Sequence, residues 1–128
     1  MPEVILIGGG HLVEALAKLG AEGPRELAKS LHEEALEAFA ESQRQVPRKT
    51  GVLANSGVVL EPVVSGTTVT QDLGYGGAAS KYALIVHEDL NANHPRGGKA
   101  KYLEDPVTAQ VQGMDERIAA RLEEVIAE

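Results

Sequence analysis

No cysteine occurs among the 128 residues. That removes disulfides, thiol nucleophiles and cysteine-ligated zinc together, and it fits a reducing compartment. Aromatics are nearly as scarce: no tryptophan, one phenylalanine and three tyrosines. Any core must be built from Leu, Ile, Val and many small alanines. Tyr75, Tyr82 and Tyr102 are too dispersed along the chain to suggest a base-stacking platform. Long apolar runs are also missing, and none approaches the ~18 residues of a membrane span. The short run Val4–Ile7 has neither a basic flank nor a clear cleavage site, so no signal peptide is expected.

A concentrated basic patch is absent too. The net charge is −7, unevenly spread. Residues 1–43 hold eight acids and three bases, 44–101 four acids and seven bases, and 102–128 seven acids and two bases. Acidic ends around a basic middle argue against a surface built to grip a nucleic-acid backbone. The pattern suits subunits that meet acidic face to basic face, although solvated Glu-rich helix faces explain much of it. The length predicts one domain, 1–128, with a modest core that oligomerisation would help to stabilise.

What is present falls into a clear order. Val4–Ile7 reads as an edge strand, broken by Gly8-Gly9-Gly10, and His11 to Gly20 reads as a short helix with Leu12, Leu16 and Leu19 on one face. A strand, glycines and a helix suggest a dinucleotide-binding turn. The fingerprint fails, because Val13 stands at the third glycine and another helix follows instead of a strand.

From Pro24 to Gln45, Leu27, Leu31, Ala35, Ala38 and Phe39 recur at helical spacing, with Glu33, Glu34, Glu37 and Glu41 on the remaining faces. Pro47 ends this helix. Thr50 is placed to cap one short turn at Gly51–Leu53. Residues 58–64 and 67–73 read as β-branched strands joined by Ser65-Gly66, with Pro62 marking an edge or a bulge. Residues 82–88 form a central strand. Residues 88–104 show no periodicity and read as a long loop. A last helix from Pro106 carries the stripe Val107, Val111, Met114, Ile118, Leu122 and Val125, weakened slightly by Gly113. Strands do not alternate with helices. The expected class is therefore α+β: a long amphipathic helix and a C-terminal helix on a small, mainly antiparallel sheet.

Chemistry concentrates in the long loop. His87, Glu88 and His94 offer metal-ligand types, so a small metal-dependent enzyme is one reading. The pattern H-E-x-x-H fails, since Asn91 stands four residues after His87. No serine sits in a G-x-S-x-G turn and no phosphate-binding loop is present. His11 and His32 read as ordinary surface or boundary histidines. Catalysis is thus poorly supported, and neither a metal nor another cofactor is expected. The alternative is an arm. Arg96, Lys99 and Lys101 would lie against a neighbour's acidic helix, with His87, Glu88 and His94 also at the contact. Tyr102 and Leu103 would anchor the return of the chain.

Several motifs together resemble one family. Pro47, Thr50, Gly51, Leu53 and Ser56 follow the long helix in the pattern Pro-x-x-Thr-Gly-x-Leu-x-x-Ser. Tyr82, Ala83, Val86, His87 and Glu88 form a strand motif, and Lys101, Tyr102, Leu103, Glu104 and Pro106 lead into the final helix. This order is similar to that in tail-completion and minor tail or minor capsid proteins of tailed bacteriophages, a group with a tail-terminator-like fold. Arg48-Lys49 and the run from His87 to Asn91 depart from the common pattern. The resemblance implies a non-enzymatic virion protein without cofactor, assembled in the host cytoplasm. It implies a ring, a hexamer, that contacts head-connector or tail-tube proteins near DNA in a channel and touches no membrane.

Overall fold

The computed structural model describes residues 3–7, 9–46, 51–76, 81–87 and 101–128, with side chains described for 9–46, 51–76 and 101–128. Strand β1 (Glu3–Ile7) leads into helix α1 (Gly10–Leu19), which a single 3-10 turn joins to α2 (Gly23–Gln45). The stop expected at Gly20 is present, its N–H bonded to the Leu16 carbonyl. Pro24 lies in the first turn of α2, where a missing N–H costs nothing. Val46 leaves the helix with ψ 138°, the extended conformation that a following proline favours.

One turn of helix, α3 (Val52–Asn55), precedes strands β2 (Gly57–Val59), β3 (Val63–Ser65), β4 (Thr68–Tyr75) and β5 (Lys81–His87). Its N-cap is Gly51 with φ +78°, and no side chain caps it. The cap expected from Thr50 is thus taken over by the next residue; Thr50 and Pro47 lie outside the described residues. The sheet order is β1-β5-β4-β2, with β3 also paired to β4. All pairings are antiparallel except β1 with β5. β5 is central, between β1 and β4, as its two apolar faces predict.

The expected single strand over 58–64 is split. Val59 pairs with Leu73 and Val63 with Thr70, so residues 60–62 oppose only 71 and 72. That is a one-residue bulge at Pro62, which has no N–H to give the ladder. The hairpin turn is also one residue later than expected. Ser65 already pairs with Thr68, so Gly66 and Thr67 make the turn.

The C-terminal stripe forms two helices rather than one: α4 (Lys101–Val111) and α5 (Met114–Ala127). Gly113, at φ +72°, interrupts the path, a conformation open to glycine at little cost. α4 starts five residues before Pro106 because Leu103 is buried there and Lys101 pairs with Glu104 at 3.5 Å. The loop read over 88–104 therefore loses its last four residues to α4.

α2 is the spine of the molecule. It packs against β4 on one side and against α1, α4 and α5 on others. Leu27, Leu31, Ala35 and Ala38 are buried as their spacing predicts, against Val69 and Leu73 of β4, Val107 of α4 and Ile118 and Leu122 of α5.

Candidate interaction site

The corner after α2 carries the first motif. Asn55 N–H bonds to the Gly51 carbonyl at 2.9 Å, and the Ser56 hydroxyl donates to the Leu53 carbonyl at 2.6 Å. Leu53 packs on the core, and the Gln43 amide of α2 donates to the Ala54 carbonyl at 3.1 Å. Gly57 then passes so close to Phe39 that a Cβ would run into the ring. Gly51, Leu53 and Ser56 thus build a turn that turns the chain from the long helix onto the sheet edge.

The second motif is divided. Tyr82 lies in β5 opposite Leu73, and His87 ends β5, opposite Thr68 and Ile7. Glu88, His94, Arg96 and Lys99 lie outside the described residues. Among the described residues no group of three potential metal ligands occurs. Lys101 is exposed at the start of α4. Tyr102 is half-buried, edge-on to Tyr75 with ring centroids 5.3 Å apart. Leu103 is fully buried in its own chain. Its side chain therefore lies among the residues of its own core. Pro106 is buried within α4.

The aromatics, far apart in sequence, converge here. Phe39 stacks on Tyr75 at 5.3 Å, and the Tyr75 hydroxyl shares a 2.9 Å hydrogen bond with Ser42 in the core. Tyr75 is fully buried, so the cluster is packing rather than a platform for bases.

Polar side chains that sequence reasoning placed outside turn out to hold the helices together. Glu34 is fully buried and accepts from both nitrogens of the Arg117 fork at 2.7 and 3.1 Å, from Arg121 at 2.7 Å and from Gln110 at 2.6 Å. Burial pushes its carboxyl upward, but the bonds from Arg117, Gln110 and Arg121 outweigh that and hold it below the usual carboxylate range. The legible signal was the pair Arg117 and Arg121, one helical turn apart within an acidic segment.

The glycine turn before α1 has a different use from nucleotide binding. The Asp115 carboxylate of α5 accepts from the Gly9 N–H at 3.2 Å and from its own neighbour Glu116 N–H at 2.9 Å. A Cβ on Gly9 would lie 2.8 Å from that carboxylate. The helix end that would receive a phosphate already faces an acid. Next to it, the exposed His11 Nδ1 lies 2.9 Å from a Glu116 carboxylate oxygen. That hydrogen bond and charge raise the imidazole above its ordinary value.

A concave surface lies between α2 and the β2–β3 edge. This groove of about 670 Å³ has Ala21, Pro24 and Ala28 on one wall and Pro62 and Val64 on the other. Arg25, Lys29, His32 and Glu61 also line it. His32 is fixed by Gln71, a fully buried residue of β4. The Gln71 amide nitrogen donates to the carbonyls of Leu60, at 2.5 Å, and Asp72, at 3.0 Å. Its oxygen, 2.8 Å from His32 Nδ1, must therefore accept. In the neutral imidazole the proton is therefore on Nδ1 and Nε2 is the acceptor. The same edge exposes Val58, Leu60, Val63 and Val64.

Comparison with known proteins finds no matching family profile, curated protein or solved structure.

Proposed function

We propose that the chain is a structural virion protein of a tailed phage or prophage, acting in head–tail joining or tail completion as a ring of subunits. The supporting observation is the order of the motifs along one α+β chain. Gly51, Leu53 and Ser56 form the turn between the long helix and the sheet. Tyr82 follows in β5, and Lys101 to Pro106 open the final helix pair. In this reading Arg96 and Lys99, the two bases of residues 88–100, contact a neighbouring copy or a head-connector or tail-tube protein. Rim charges of that kind steer association and set register. The exposed Glu-rich faces of α2 and α5 supply the complementary charge.

The test is deletion of 91–98, followed by circular dichroism of the purified chain and electron microscopy of particles made with it. Native-like helicity with loss of the protein from particles is expected. Normal incorporation would remove the arm reading, and a position in the capsid wall would reassign the chain to a minor capsid role.

A further inference from the structure

We propose that the groove between α2 and the β2–β3 edge seats an extended, acidic segment of a partner protein, which pairs with β3 and gives a hydrogen bond to His32 Nε2. Four observations meet at this place. β3 pairs with β4 on one side only, so among the described residues its other edge has no strand beside it. Such an edge accepts an added strand through main-chain hydrogen bonds, with side-chain pockets supplying selectivity. Glu61-Pro62 and the bulge limit the pairing to residues 63–65, which makes the groove wall the main source of contact.

The second observation is size and lining. About 670 Å³ falls within the range of specific clefts. Its apolar wall of Ala21, Pro24, Ala28, Pro62 and Val64 suits small aliphatic side chains.

The third is the locked imidazole. Gln71 commits both of its donors to backbone carbonyls, so His32 cannot reverse its tautomer without leaving Gln71 Oε1 unpaired. A buried acceptor left unpaired is costly. With the imidazole neutral, the groove therefore presents a fixed acceptor that selects an N–H or O–H on the incoming segment.

The fourth is charge. Arg25 and Lys29 face one acid, Glu61, in the groove. Two other concave surfaces are acidic: one carries Glu14, Glu116 and Glu123 beside His11, and the other Glu26, Glu33, Glu124 and Glu128 beside Lys29 and Arg121. Arg25 pairs at 2.7 Å with the exposed Glu22, and the exposed Lys29 pairs at 3.5 Å with Glu26, whose side chain is mostly buried. The Arg25–Glu22 pair, exposed on both sides, contributes little and leaves Arg25 open to a ligand carboxylate. The occupant is therefore an acidic segment, and the proposal stands whether or not the chain belongs to a virion.

The experiment is a nuclear magnetic resonance titration of the isotope-labelled full chain. The probe is a capped heptapeptide that alternates valine and threonine and has a glutamate at each end. Saturable shifts confined to residues 21–32 and 60–65 are expected. Replacing both terminal glutamates by lysine, or making Arg25→Gln with Lys29→Gln, should weaken binding about tenfold. N-methylation of alternate peptide amides should abolish it, and His32→Phe should weaken it while circular dichroism stays native. Absence of shifts at millimolar peptide, shifts elsewhere, or equal binding of the lysine-ended peptide would overturn the proposal. So would concentration-dependent self-association of the chain alone that Val63→Lys removes, since the edge would then belong to a second copy.

Discussion

Glu34 shows how one residue changes role with its surroundings. It carries a full charge with none of its side chain exposed, and two arginines answer it. Removing one partner from a fully buried pair costs about 3–5 kcal/mol. Arg117 and Arg121 keep 40% and 27% of their side chains exposed and can turn to water. Glu34→Ala is therefore expected to cost less, about 2 kcal/mol, in urea unfolding. The carboxyl is held below its ordinary value of 4.5, so its contribution is complete above that pH and is lost as pH falls through the folded-state pKa. The stability gap between wild type and Glu34→Gln should narrow as the solution is acidified below 4.5. A gap that stays constant would mean that hydrogen-bond geometry, not charge, is being measured. His11 has the opposite sign. Its folded-state value is raised above 6.5, so the Glu116 contact contributes fully below that pH and fades as pH rises through the raised value. Imidazole resonances should titrate above 6.5 in the wild type and return toward it in Glu116→Gln.

At the scale of elements, two glycines decide how helices and strands join. Gly113 separates α4 from α5 at φ +72°. Gly113→Ala forces a side chain into the left-handed region and should cost about 1 kcal/mol, read as a lower unfolding midpoint with unchanged slope. Gly57 lets β2 lie against Phe39. Gly57→Ala overpacks that contact and should cost about 1–3 kcal/mol. Phe39→Leu in the same chain should recover part of the loss, and a double-mutant cycle would report the coupling. Additive effects would show that the backbone had moved away and that the contact is soft. The bulge at Pro62 belongs to the same scale. It interrupts an exposed apolar edge and limits the length over which another strand can pair.

For the molecule as a whole, α2 is the element that most others touch. Its amides between Leu27 and Ala38 should therefore exchange with solvent only on global unfolding. Those of the single-turn α3, which the Gln43–Ala54 hydrogen bond ties to α2, should exchange earlier. Hydrogen exchange read by mass spectrometry separates the two, and equal rates would deny α2 its central place.

Much of this architecture was legible in the sequence. Hydrophobic burial is local in pattern: Leu27, Leu31, Ala35 and Ala38 recur at one helical period whatever they meet, and so do Val107, Ile118 and Leu122. The α+β class, the long helix, the edge strand at Val4–Ile7 and the central strand read at residues 82–88, one residue from its observed place, follow from such periods and from glycine and proline punctuation. Periodicity could not show that Glu34 points inward, because its burial depends on Arg117, 83 residues later in the chain. Nor could it show that Phe39, Tyr75 and Tyr102 meet, or that Gln71 fixes the His32 proton. A charge or a polar amide goes inside only where partners from distant segments satisfy it, and only the tertiary structure brings those partners together.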